Sequence, residues 1–113
     1  MCGISGILYF DRRHPDLASL RAMCKQMIHR GPDDEGFFTG PGVGLGFRRL
    51  SIIDPEGAQQ PVANEDGSIQ MVCNGEIYNY RSLREDLLKK GHLFRTAGDT
   101  ETIIHLYEEY GRE

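Results

Sequence analysis

Cysteine is scarce in this sequence, and its arrangement excludes two common uses of the residue. The 113 residues contain three cysteines, Cys2, Cys24 and Cys73. An odd count with wide gaps and no C-x-x-C pair argues against a disulfide framework and against a cysteine zinc cluster. Reduced thiols are typical of the cytosol, so the cysteine usage predicts a cytoplasmic protein.

Positive charge and long apolar runs are lacking as well. Lys and Arg number 13 against 17 Asp and Glu, which leaves no basic surface for nucleic acid or an anionic membrane. No apolar run approaches the ~18 residues that a membrane span requires. The opening stretch MCGISGILYF has neither the basic start nor the unbroken apolar run of a signal peptide. The sequence therefore predicts a globular domain without nucleic-acid or membrane partners.

A strand and a helix are predicted at the start of the chain. Residues 3–10 are rich in β-branched and aromatic side chains, which is typical of a strand. A helix is expected to begin after the cap Asp16, because apolar residues recur at three- and four-residue spacing as far as Ile28. Cys24 lies on that apolar face and is predicted to be a core residue.

A β-hairpin is predicted next in the chain. Strand-like runs cover residues 35–40 and 43–54, and Gly40-Pro41-Gly42 joins them. Glycines also stand at positions 44 and 46, but their spacing does not match a dinucleotide-binding loop and no G-K-[ST] follows. We therefore interpret these glycines as strand-packing residues rather than phosphate ligands.

The second half of the chain mixes short strands with two further helices. The predicted elements are a loop over 55–68 with a turn at Asp66-Gly67, a strand over 69–73, a helix carrying Leu83, Leu87 and Leu88 and closed by Gly91, a strand over 92–96 and a helix over 98–111. Hairpins and helices in this order favour an α+β architecture over alternating parallel β-α units.

Cys2 directly follows Met1 and has two interpretations. It is either a small residue at the start of a buried strand or, once Met1 is removed, the first residue of the chain and its nucleophile. In the second case its α-amine, with a reference pKa of about 8, supplies the general base. A histidine partner is then unnecessary. The four histidines stand in unlike contexts, form no evident pair and are interpreted as surface or structural residues: His14, His29, His92 and His105.

Five further residues suit an amino-acid substrate and acyl transfer. Asn74 and Gly75 offer a side-chain amide and an unobstructed N–H to an oxyanion, although the same dipeptide is also typical of a tight hairpin turn. Arg49 suits a carboxylate, or is a strand-edge charge. Glu76 and Asp99 suit an ammonium group, or Asp99 is a helix cap. Together they point to one amino-acid ligand.

The sequence resembles the glutamine amidotransferase domain of glutamine-dependent asparagine synthetases. The stretches M-C-G-I-S-G, H-R-G-P-D, R-L-S-I-I-D, N-G-E-I-Y-N and G-D-T-E carry the resemblance, which runs from Cys2 to about Gly111. Such domains are class II amidotransferases, which are N-terminal-nucleophile hydrolases. The resemblance implies that residues 1–113 are a partial type-2 glutamine amidotransferase domain. It also implies a four-layer α-β-β-α sandwich of which about the first half is present.

The resemblance implies a nucleophile, two oxyanion donors and five substrate-binding residues. In that order they are Cys2; Asn74 and Gly75; and Arg49, Leu50, Ile52, Glu76 and Asp99. Cys2 would attack the side-chain amide of glutamine and release ammonia, and water would then clear the thioester. No metal or cofactor is implied for this domain. The family often has serine where Gly98 stands, so this chain lacks a hydroxyl near the expected ammonium site.

The implied partners are L-glutamine and a C-terminal synthetase domain that this chain lacks. That domain would use ATP and Mg to convert aspartate to asparagine with the released ammonia. Pairing with a second copy of the chain in a homodimer also stays open. Two alternative functions also stay open: the same glutaminase serving a different ammonia acceptor, and a non-catalytic, truncated module that binds an amino acid.

Overall fold

A computed structural model of the protein describes residues 2–50 and 59–112. The described residues form five strands and three helices. These are β1 (Gly3–Leu8), α1 (Leu17–Lys25), β2 (Asp34–Gly40), β3 (Val43–Arg49), β4 (Val62–Ala63), β5 (Gln70–Met71), α2 (Tyr80–Lys89) and α3 (Glu101–Tyr110). The predicted mixed α+β architecture is thus confirmed. Among the described helices, none has the length and apolar character needed to cross a membrane.

The first half of the chain is an antiparallel sheet in the order β1-β3-β2. The predicted β2–β3 hairpin is confirmed, and it turns at Gly42, which has a φ of 79°. A Cβ at Gly42 would lie 2.9 Å from the carbonyl oxygen of Tyr9, so the turn requires glycine for both conformation and space. Residues 51–54 of the predicted strand lie outside the described residues.

Helix α1 covers one face of this sheet. Its cap is as predicted, because the Asp16 carboxylate accepts a hydrogen bond of 3.0 Å from the backbone N–H of Ala18. Leu20 and Cys24 are 0% exposed, which confirms Cys24 as a core residue. The predicted end at Ile28 is wrong, since the helix ends at Lys25 and continues as turns. The helical spacing of apolar residues continues beyond Lys25 because the turns that follow α1 still pack Met27 against Gly3 of β1.

The glycines of β3 provide room for α1, as predicted. Gly44 and Gly46 lie on the sheet face that meets the helix. A Cβ at Gly46 would lie 2.7 Å from Cys24 Sγ, and one at Gly44 would lie 2.8 Å from a methyl carbon of Leu20. Any larger residue would push the helix off the sheet.

We expect Gly46→Ala to destabilise the domain by about 1–3 kcal/mol, the usual cost of overpacking. The matched control is Gly6→Ala in β1 of the same sheet, where the nearest atom would lie 3.6 Å from the added carbon. Calorimetric melting of both variants in the full-length protein measures the difference. Equal melting temperatures for the two variants would contradict the packing role of Gly46.

In the second half of the chain, two predicted strands were wrong in extent or existence. Residues 92–96 are not a strand, because the N–H groups of Arg95 and Thr96 donate to the Glu101 carboxylate at 2.9 and 2.8 Å instead of to another strand. The predicted strand over 69–73 shortens to Gln70–Met71. Its partner is β4, which lies within the predicted loop 55–68.

Candidate active site

The thiol of Cys2 lies at the end of β3. Gly3 pairs with Arg48 in the β1–β3 register, so the residue before Gly3 meets the residues that follow Arg48. The backbone N–H of Leu50 points at Cys2 Sγ with a nitrogen–sulfur distance of 3.5 Å. Arg30 Nε donates to the Cys2 carbonyl oxygen at 3.4 Å. Cys2 is half-buried, so it is a strand-edge residue whose thiol borders Leu50 rather than a fully buried core residue.

Arg49 is buried at the same end of the sheet, with only 7% of its surface exposed. It borders a cavity of about 210 Å³. The described lining residues are Asp34, Glu35, Gly36, Phe37, Phe47, Arg49, Gln59, Gln60 and Pro61. Among them, Arg49 is the one predicted site residue. Arg49 is therefore not an exposed strand-edge charge but a buried residue beside a small cavity.

The stretch from Asn74 to Glu76 is exposed and irregular. The turn residues that follow lead into α2 rather than into a paired strand. The hairpin-turn interpretation of Asn74-Gly75 is therefore wrong. The segment instead presents the Asn74 amide and the Gly75 backbone at the surface, between β5 and α2.

Asp99 belongs with this segment, not with the cap of α3. One carboxylate oxygen, Oδ2, accepts a hydrogen bond of 2.7 Å from the backbone N–H of Ile77. The cap residue of α3 is Thr100, which makes no side-chain cap hydrogen bond. The helix-cap interpretation of the Asp99 carboxylate is therefore wrong. Its hydrogen bond joins the start of α3 to the residues directly after Glu76.

A second thiol, Cys73, lies beside Asn74. Burial raises the pKa of the Cys73 thiol, and the nearby negative charge of Asp99 raises the pKa further. A raised pKa keeps the thiol protonated at neutral pH, and a protonated thiol is a poor nucleophile. Cys73 is therefore a poor competitor for any reaction at Cys2.

Gln60 lies between the end of β3, where Cys2 and Arg49 are placed, and the Asn74–Glu76 segment. The sequence did not predict this role of Gln60. Its side chain accepts from the Cys73 N–H at 2.6 Å and donates to the Cys73 carbonyl at 3.0 Å. The carbonyl of Gln60 packs against Gly36 of β2, where a Cβ would collide with it. This amide replaces a strand partner for Cys73, which explains why β5 ends at Met71. Nothing in the sequence marks one glutamine in a loop for this role.

The predicted site residues thus fall into two groups. Cys2, Arg49 and Leu50 meet at the end of β3, while Asp99 binds the N–H of Ile77, directly after the Asn74–Glu76 segment. Gln60 stands between them. The hydrogen bonds of the described residues include none from Cys2 to Asn74 or Gly75. Ile52 lies outside the described residues.

A different cluster, also missed from the sequence, gathers around two histidines. The rings of His92 and His105 have centroids 5.2 Å apart, so the interpretation that the histidines form no pair is wrong for these two. Glu65 and Glu108 lie against them. One signal was available: Glu101, His105 and Glu108 recur at helical spacing on one face of α3.

Comparisons with known proteins identify the family of the chain. The family described as "Glutamine amidotransferase domain" matches residues 1–113. The chain is 45% identical over 119 residues to glutamine-hydrolysing asparagine synthetase 1 of Bacillus subtilis, and 43% identical over 114 residues to synthetase 3 of Arabidopsis thaliana. Both alignments cover 100% of this chain but only 18% and 19% of the relatives. The chain therefore spans less than a fifth of the length of these relatives.

Proposed function

Because this chain belongs to the glutamine amidotransferase domain family, we propose that it is the glutaminase portion of a glutamine-hydrolysing asparagine synthetase. The observation that carries the proposal is the half-buried Cys2 thiol at the end of β3, next to Leu50 and the buried Arg49. The names of the relatives favour asparagine synthesis over another ammonia acceptor, and favour an enzyme over a non-catalytic module.

The reaction begins once removal of Met1 exposes the amine of Cys2. That amine takes the thiol proton, through a water molecule, and the sulfur attacks the side-chain carbonyl carbon of glutamine. The carbonyl electrons move to oxygen, where the Asn74 amide and the Gly75 N–H stabilise the negative charge. Collapse of this intermediate transfers the proton to the leaving nitrogen and releases ammonia. Water then cleaves the thioester to give glutamate and the free thiol.

Glutamine is held by charges at both ends of its α-carbon. Arg49 pairs with the carboxylate, for which its forked guanidinium geometry is suited. Glu76 and Asp99 receive the α-ammonium. Asp99 already accepts the Ile77 N–H with one oxygen, and a carboxylate has further lone pairs to offer. The backbone of Leu50 lines the pocket beside the Cys2 thiol.

The complete domain is a four-layer α-β-β-α sandwich of the N-terminal-nucleophile hydrolases, and residues 1–113 are part of it. The open face of the β1-β3-β2 sheet supports this proposal. Helix α1 covers the other face, whereas Ile4 and Leu8 of β1 are 48% and 66% exposed. An apolar sheet face of this kind requires a covering layer, and in the sandwich a second sheet provides it.

The remainder of the protein would complete asparagine synthesis. A C-terminal synthetase domain, using ATP and Mg, would activate aspartate and consume the ammonia. This pairing fits the two relatives, of which the chain covers only 18% and 19%. The setting is the cytoplasm, in keeping with the reduced cysteines. A homodimer remains compatible with the sequence.

Labelling with a diazo-ketone analogue of glutamine tests the proposed site. Attack by the Cys2 sulfur displaces N₂ and leaves a stable thioether. We expect the full-length protein, after loss of Met1, to gain one adduct that maps to Cys2 and that excess glutamine prevents. Cys73 is the internal control, because its raised pKa predicts no adduct. An adduct on Cys73, or labelling that glutamine does not suppress, would count against the proposal.

A further inference from the structure

Four metal-binding side chains meet at a point outside the proposed active site. They are Glu65 after β4, His92 after α2, and His105 and Glu108 on α3, here called the His–Glu cluster. One ligand atom from each lies within 4.8 Å of the other three. His105 is 0% exposed and His92 9% exposed, so the imidazoles are held in place by the fold.

Both histidines direct Nδ1 toward the same two carboxylates. His105 Nδ1 lies 2.8 Å from Glu65 Oε1 and 3.1 Å from Glu108 Oε1. His92 Nδ1 lies 3.6 and 3.7 Å from the same two oxygens. Two nitrogens and two oxygens from three separate segments of the chain thus surround one small volume.

The opposite ring nitrogens bond to a second pair of carboxylates. His105 Nε2 lies 3.0 Å from Glu101 Oε2, and His92 Nε2 lies 2.7 Å from Glu109 Oε1. Metal-bound histidines characteristically donate their outer N–H to a carboxylate, which sets the tautomer and the ring orientation. Here both rings have that outer partner.

The central atoms of the cluster are all groups that can bind a cation. A neutral imidazole that donates through Nε2 presents the lone pair of Nδ1, and each carboxylate presents oxygen lone pairs, so the four atoms offer a divalent cation two nitrogen and two oxygen ligands. Among the ion pairs of the described part of the chain, these four carboxylates pair only with the two histidines.

We propose that the His–Glu cluster binds a divalent first-row transition metal such as Zn²⁺. The ligands are Nδ1 of His92 and His105 and one oxygen each from Glu65 and Glu108. A tetrahedral zinc with arms of about 2.1 Å separates its ligands by about 3.4 Å. Four of the six separations here already lie between 2.8 and 3.7 Å, so small side-chain rotations complete the geometry.

Four protein ligands make this a closed, structural site rather than a catalytic one. The ion would tie α3 to the turn after β4 and to the segment after α2. Glu101, which supports His105, also holds the N–H groups of Arg95 and Thr96. The proposal is independent of glutamine hydrolysis, since none of the four ligands belongs to the candidate active site.

Zinc titration of the full-length protein, after removal of metals with a chelator, tests this site. We expect the wild type to bind one more equivalent of Zn²⁺ than His92→Gln or Glu108→Gln, and its melting temperature to rise with Zn²⁺ where theirs does not. The control His14→Gln removes an exposed histidine outside the cluster and should bind like the wild type. Co²⁺ in place of Zn²⁺ should give the strong visible absorption of a four-coordinate site.

Glu109→Gln separates a metal site from a simple hydrogen-bond network. Glu109 touches the outer nitrogen of His92 and not the centre, so its loss should weaken zinc binding by about 10- to 100-fold without abolishing it. Identical stoichiometry and affinity in the wild type, His92→Gln and Glu108→Gln would overturn the proposal. Zinc binding without any thermal shift would overturn the structural role.

Discussion

Replacement of Cys2 by alanine in the full-length protein is expected to abolish ammonia release from glutamine while ammonia-dependent asparagine synthesis continues. The thiol forms the covalent intermediate, and no other group near Leu50 supplies a nucleophile in the proposed mechanism. The proposed synthetase domain would take ammonia from solution, and that step would not need the thiol. Measuring glutamate release and asparagine formation, with glutamine or an ammonium salt as nitrogen source, separates the two activities. Retained glutamine use would show that Cys2 is not the nucleophile.

Cys73→Ser is the matched control for this experiment. Cys73 is half-buried next to Asn74, and its raised pKa keeps its thiol protonated. Glutamine turnover should therefore stay within a few-fold of the wild type. Loss of activity in Cys73→Ser equal to that in Cys2→Ala would show that the assay reports folding rather than nucleophilic attack.

Replacement of Asn74 by alanine should lower kcat for glutamine hydrolysis by about a hundred- to a thousandfold, the usual effect of losing one oxyanion donor. The negative charge exists only after attack, so KM should change little. Steady-state glutamate release from the full-length protein gives both constants. A decrease below tenfold would contradict the oxyanion role.

The same motif offers a control residue for Asn74. Asn79 lies five positions later, is exposed, and makes no side-chain cap hydrogen bond to α2. Asn79→Ala should therefore keep kcat within a few-fold of the wild type. Similar losses in both variants would assign the effect to the whole segment rather than to the Asn74 amide.

Elements whose partners are near in sequence were the ones predicted well. The cap at Asp16, the apolar face of α1 and the turn of the β2–β3 hairpin depend on residues within a few positions of one another. The failures occurred where side chains took over backbone hydrogen bonds that a strand partner would otherwise make. Gln60 binds Cys73 across 13 residues, and local patterns carry no information about such a partner.

The candidate site shows the same division. Residue type and order predicted a nucleophilic thiol at Cys2, an amide followed by glycine, and charges suited to an amino acid. The hairpin turn at Asn74-Gly75 and the helix cap at Asp99 could be excluded only once α2 and α3 were packed. Asp99 binds Ile77 across 22 residues instead of capping its own helix. The Asp99 carboxylate can accept either a cap hydrogen bond or the Ile77 N–H, and the tertiary structure determines that it accepts the latter.

The sequence alone predicted a class of reaction, because that prediction depends on which functional groups are present. The positions of those groups depend on strand register and on contacts between distant segments. Strand register brings Cys2 to Leu50 across 48 residues, and the joining of three segments creates the His–Glu cluster. Helical spacing marks only the α3 members of the cluster, and no local pattern marks the contacts between distant segments, since the free energy that forms them comes from burying the core as a whole.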